Sequence, residues 1–133
     1  SHISFYEADA YCRYKNMRLP SEFEIELVLE KKKIKGNFLE NKVFEPVVPE
    51  SNSSSFYGDL WMWTSSNYTE YKGYKPFSGF FSEYNGKFMC NQFVLKGGSC
   101  ITPRSHLRPS YRNFYYPDNR WQFSGIRLAS ETE

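Results

Sequence analysis

The sequence predicts an α+β domain, two short helices followed by a small, twisted sheet set among long loops. Three observations carry that prediction. Two capping-box patterns stand within the first 24 residues, each ahead of helically spaced apolar positions. Beyond them the apolar runs are short and are broken by Gly, Pro and Ser. Aromatic residues make up 20% of the chain, with 12 Phe and 11 Tyr. A core of large rings, whose polar tips need partners, favours an irregular fold.

The elements follow in order. Ser4-Phe-Tyr-Glu7 places a Glu three residues after a Ser, so that each side chain can satisfy a backbone N–H left free at a helix start. Ala8, Tyr11 and Cys12 then fall on one face, predicting a helix from about Phe5 to Lys15. Ser21 and Glu24 repeat the device, with Phe23 and Leu27 expected to face inward. This second helix should reach Lys31-Lys-Lys33, whose charge suits a helix C-terminus and reads as a solvated end rather than a binding patch. Residues 36–55 read as a long connection because of Pro46, Pro49 and Ser51-Asn-Ser-Ser-Ser55, and a loop of that length is often functional. Gly58-Asp-Leu-Trp-Met-Trp-Thr64 alternates large apolar residues, as a short strand or a buried turn would. Residues 68–84 read as an ordered aromatic loop. Gln92-Phe-Val-Leu-Lys96 and Ser124-Gly-Ile-Arg-Leu-Ala129 are strand candidates, and Gly97-Gly98 permits a tight turn. With no repeat and no linker, residues 1–133 form a single domain.

Charge and cysteine usage narrow the function. The net charge is 17 − 15 = +2, too small to point to nucleic acid or an anionic membrane, and no apolar run approaches the length of a membrane span. Cys12, Cys90 and Cys100 are an odd count without metal-type spacing, which fits a reduced, cytoplasmic setting. His2 and His106 lie far apart, so no complete metal site is expected within the chain. Cys100 follows a Gly-Gly-Ser turn six residues ahead of His106; a buried, inert thiol is the expectation. The glycines lack the spacing of a phosphate loop. The chain opens on Ser1-His2-Ile3, without Met or leader, and is expected to be part of something longer.

The last third carries the binding chemistry. Arg104, Arg108, Arg112, Arg120 and Arg127 offer forked donors suited to carboxylates. Phe114, Tyr115, Tyr116, Trp121 and Phe123 interleave with them, and ring faces attract cations. The combination suits a small zwitterion with a cationic head. By composition alone, the same residues serve equally as ties within a loop-rich domain. The residues therefore offer a binding surface without a reactive group.

Several motifs, in order along nearly the whole chain, resemble the formylglycine-generating-enzyme-like domain, a variant of the C-type-lectin-like fold. His2-Ile-Ser-Phe-Tyr-Glu-Ala-Asp-Ala-Tyr-Cys12 with Arg18-Leu-Pro-Ser-Glu-Phe-Glu24 is similar to its entry helix and RLPTE signature. Gly58–Thr64 resembles GNVWEWT, Lys96-Gly-Gly-Ser99 resembles RGGS, and Gly125-Ile-Arg127 resembles the closing GFR. The resemblance implies a small antiparallel sheet. Within the family, Gly36-Asn-Phe-Leu-Glu40, Glu83-Tyr-Asn-Gly-Lys-Phe-Met89, Cys100-Ile-Thr-Pro103, Tyr111-Arg-Asn-Phe-Tyr-Tyr-Pro117 and Arg120-Trp-Gln-Phe123 are similar to hercynine oxygenases, the ergothioneine-forming sulfoxide synthases.

That resemblance implies a non-haem iron oxidoreductase that joins cysteine or γ-glutamylcysteine to N-trimethylhistidine with dioxygen. Iron(II) is expected on a DinB-like N-terminal helical domain absent from this chain, which alone would be inactive. Asn113 and Phe114 match the segment that lines the trimethylhistidine pocket. Tyr115 stands where the mycobacterial type has an Asp that contacts the thiol, so the donor stays open. Arg112 and Arg120 complete the expected substrate-binding set, and Tyr74 is the candidate proton or hydrogen-bond donor near the reacting oxygen. Thr102 and Leu107 stand where formylglycine-generating enzymes carry a copper-binding cysteine pair, which disfavours that activity. Met62 replaces the Glu of WEWT, which helps bind calcium in some relatives, so no calcium is expected there. A selenoneine- or ovothiol-type synthase and a non-catalytic lectin-like binding module are the alternatives.

Overall fold

The computed structural model describes residues 1–48, 55–75 and 89–131. Helix α1 spans Phe5–Tyr14 and α2 spans Glu22–Glu30, each starting at a complete capping box, Ser4 with Glu7 and Ser21 with Glu24. Strands β1 (Trp61–Asn67), β2 (Phe93–Lys96), β3 (Asn113–Tyr115) and β4 (Ser124–Gly125) form one sheet in the order β3-β2-β1-β4. The predicted α+β class holds, with one correction: the sheet is mixed. β2 is antiparallel to β1 and β3, whereas β4 lies parallel to β1 through Trp61↔Ser124 and Met62↔Gly125. The expected strand 124–129 is cut short because the chain leaves the sheet after Gly125. Ala129 instead exchanges two backbone hydrogen bonds with Arg18, at 2.9 and 3.0 Å.

The helices correct the sequence reading of which faces are buried. Ala8 and Cys12 of α1 are buried as expected, but Tyr11 is exposed, since a ten-residue helix buries only a narrow stripe. In α2 Phe23 and Leu27 point outward, and Glu22, Ile25 and Leu29 are buried instead. Apolar residues stand on both faces of this helix, so periodicity alone cannot choose between them. The acids decide it: Glu22 meets Arg112 and Glu26 meets Lys96, each within the fold. Lys96 Nζ is wholly buried, 2.7 Å from Glu26 Oε2 and 3.3 Å from the Pro109 carbonyl.

The core sits between the helices and the sheet, around Trp63, Leu95, Leu29 and Tyr57. Trp63 Nε1 donates to the Ile3 carbonyl at 2.9 Å, and Tyr57 donates to the Leu29 carbonyl at 3.2 Å. Phe5 stacks on Phe93 at 3.7 Å and meets Trp63 edge-on. The register between β1 and β2 shifts between Trp63 and Asn67, and Thr64 Oγ1 donates across that irregularity to the Val94 carbonyl. At the end of β2, Gly97 and Gly98 adopt φ of 97° and 83°. A Cβ on Gly97 would lie 2.7 Å from Met62 Cε, and one on Gly98 would lie 2.7 Å from a Leu107 methyl, so this turn needs both glycines. The long connection contains a 3-10 turn, Leu39–Asn41, and a second such turn spans Arg104–His106. Part of that connection (49–54) and most of the expected aromatic loop (76–88, with most of the Glu83–Met89 motif) lie outside the described residues.

Candidate functional site: the β3 edge and the tyrosine loop

β3 is the terminal strand of the sheet, and three of the six sequence candidates make it up. Pairing with β2 aligns Phe93↔Tyr115, Val94↔Phe114 and Leu95↔Asn113. Strand alternation therefore puts Phe114 on one face and Asn113 and Tyr115 on the other. Phe114 stacks nearly parallel on Tyr68, with ring centres 4.1 Å apart. On the opposite face Tyr115 meets the exposed Trp121 edge-on at 5.0 Å, and Asn113 Nδ2 donates to the Tyr115 hydroxyl at 3.3 Å. Both faces of the edge thus present half-exposed rings, whose negative faces attract cations.

Arg112 precedes the strand and is committed within the fold. Its Nη2 donates to Glu22 Oε1 at 3.1 Å and its Nη1 to the Thr69 carbonyl at 2.9 Å. Nε lies 2.9 Å from Glu22 Oε2 without an N–H aligned to it, so this contact is an ion pair rather than a hydrogen bond. The guanidinium also lies 4.8 Å from the Tyr68 ring centre and 4.4 Å from that of Tyr71. The Tyr71 hydroxyl reaches Glu22 Oε2 at 3.4 Å. Burial pushes the Tyr71 phenol above its ordinary value, against the pull of Arg112. Arg112 therefore clamps residues 68–71 to the start of α2. Tyr74 follows that clamp, its N–H bonded to the Tyr71 carbonyl, and its ring is partly exposed.

Arg120 pairs with Glu7 of α1 at 3.3 Å on an exposed surface. The structure thus joins Arg112, Asn113, Phe114 and Tyr115 in one run, ties Tyr74 to that run through Tyr71, and pairs Arg120, next to the Trp121 that meets Tyr115, with Glu7. Tyr68, Tyr71 and Glu22 were missed by the sequence reading. A buried acid in the first turn of an amphipathic helix gives no signal of its partner, which lies 90 residues on.

Among the described residues no group of three or more His, Cys, Asp or Glu could hold a metal. His2 packs on Phe123 and His106 on Tyr111. Cys12 and Cys100 are buried, and burial raises both thiols, so Cys100 is the inert thiol expected. No described helix is long and apolar enough to cross a membrane.

A family model described as the sulfatase-modifying factor enzyme 1-like domain matches residues 50–132. The hercynine oxygenase of Mycolicibacterium smegmatis is 31% identical over 157 residues, and that of Mycobacterium tuberculosis is 28% identical over 153. Each match covers 96% of this chain and 36% of the relative, so the chain spans about a third of those proteins. Among solved structures, PvdO from Pseudomonas aeruginosa superposes with a TM-score of 0.59 at 16% identity, over 95% of this chain and 59% of that one. That likeness bears on the fold.

Proposed function

The chain belongs to the sulfatase-modifying factor enzyme 1-like domain family, and from that premise we propose that it is the substrate-orienting, C-terminal part of an ergothioneine-forming sulfoxide synthase. The observation that carries this reading is the match to hercynine oxygenases along 96% of the chain. In that role the β3 edge receives N-trimethylhistidine, with the quaternary ammonium against the rings of Phe114 and Tyr68. Asn113 and Tyr115 present polar groups to the substrates from the other face of the strand.

Arg112 acts in this proposal by positioning. It holds the loop that carries Tyr74, the candidate donor toward the reacting oxygen, while its own donors are engaged by Glu22 and Thr69. Arg120 is the more available carboxylate partner, because its bond to Glu7 is long and solvated. Among the described residues no cluster of His, Cys, Asp or Glu fits iron. In this reading iron(II) sits on a separate helical domain and this chain holds the substrates. The thiol partner is cysteine or γ-glutamylcysteine, and dioxygen is the oxidant.

The test is the affinity of the full-length protein for N-trimethylhistidine, measured calorimetrically with Phe114→Ala and Phe114→Tyr. Loss of a partly desolvated ring should weaken binding about tenfold, with recovery in the Tyr variant. Unchanged affinity in Phe114→Ala, at unchanged thermal stability, would remove this edge from the site.

A further inference from the structure

The cavity beside β4 contains a charge that no carboxylate among the described residues compensates. Arg127 Nη2 donates to the Ser55 carbonyl at 2.8 Å, and Nε reaches only the Met62 thioether at 3.3 Å, a weak acceptor. Its guanidinium carbon lies 4.0 Å from the centre of the Phe56 ring. Among the described residues no carboxylate lies within ion-pairing distance of Arg127, and Nη1 donates to none of them. Arg13, Arg18, Arg112 and Arg120 each have such a partner. Burial alone pushes the Arg127 guanidinium below its ordinary value. A half-buried cation without an anion is costly to keep, and a ligand would relieve that cost.

Arg127 lines a cavity of about 260 Å³ together with Pro46, Val47, Asp59, Leu60 and Met62. Asp59 supplies the opposite charge. Its Oδ1 accepts from Asn37 Nδ2 and from the Val47 N–H, both at 3.0 Å, while Oδ2 accepts from none of the described residues. Asp59 and Arg127 do not pair with each other. Among the described residues the cavity thus offers unfilled cationic donors, an unfilled anionic acceptor and an apolar remainder. We propose that this cavity binds a small zwitterion of the α-amino-acid class, its carboxylate on Arg127 Nη1 and its ammonium group toward Asp59 Oδ2. The site is separate from the β3 edge: β3 and β4 are the two ends of the sheet, three strand spacings or roughly 14 Å apart.

The experiment uses the full-length protein labelled with nitrogen-15 arginine, following the Arg127 Nε–H resonance. That resonance is identified by its loss in Arg127→Lys, which keeps the stem and the charge. Glycine should shift it saturably, and acetate, lacking the ammonium group, should bind about fivefold more weakly. Asp59→Asn keeps the Oδ1 acceptor and should bring glycine and acetate to equal affinity. A resonance unmoved by either probe, or shifts that grow without saturating, would overturn the site. Undiminished preference for glycine in Asp59→Asn would overturn the zwitterion assignment.

Discussion

At the scale of single residues, the fold depends on a few charges held away from water. Lys96 follows the apolar run of β2, and its ammonium group is fully buried against Glu26 and the Pro109 carbonyl. Removing one member of such a pair leaves the other uncompensated, which costs far more than an exposed pair contributes. Glu26→Ala should therefore destabilise the domain by about 3 kcal/mol, read as a fall in the urea midpoint at unchanged slope. A loss near zero would mean that Lys96 finds water in the variant. Much of this scale was not legible in the sequence. The capping boxes could be read because both partners lie within four residues of each other. Lys96–Glu26 and Arg112–Glu22 could not, since their partners are 70 and 90 residues apart.

At the scale of elements, the start of α2 ties several segments together. Glu24 receives the Ser21 N–H and hydroxyl and, from Arg18, two guanidinium bonds at 2.7 and 2.8 Å. Arg18 also pairs with Ala129, so this cap joins the first helix turn to the last strand segment. The Arg18 hydrogen bonds, followed by the Ser21 N–H, hold the Glu24 carboxyl down to about 2. A depressed carboxyl contributes stability that is fully present above its unfolded value of about 4.3. That contribution is lost as pH falls through the folded value of about 2. Glu24→Gln should flatten the acid limb of the stability–pH curve between those two values, whereas an unchanged limb would put the acid sensitivity elsewhere. β1, β2 and β4 were legible in outline from short apolar runs, whereas β3 was not, because three residues are too few to show a period. The parallel pairing of β4 with β1 was not legible either, because strand order and direction are long-range choices that no local pattern carries.

At the scale of the whole molecule, the chain closes on itself at several points distant in sequence. The Ile3 carbonyl accepts both from Trp63 and from the Ser124 hydroxyl, and the Phe5 N–H donates to the Pro117 carbonyl. Such cross-ties predict one cooperative unit. Cys12 and Cys100 sit in different segments of the buried interior, and Cys90 is exposed. Iodoacetamide should modify Cys90 at once, and Cys12 and Cys100 later at one common rate set by global opening. A separate, faster rate for either would identify a part that opens alone. The residues of the candidate site differ in how far their grouping could be read from the sequence. The run 112–115 is contiguous and could be found by motif, whereas the Arg127 cavity is assembled from the loop around Val47, Asp59, Met62 and the segment after β4.

The three tryptophans divide in a way that makes the protein its own optical probe. Trp61 and Trp63 are 6% and 0% exposed, whereas Trp121 is 68% exposed and rests against Tyr115 of β3. Emission from the first two should be a shielded, blue-shifted background that dissolved quenchers do not reach. Among the tryptophans of this chain the red-shifted, quenchable component should belong to Trp121, and on the proposed function its intensity should follow occupancy of the β3 edge without an added label.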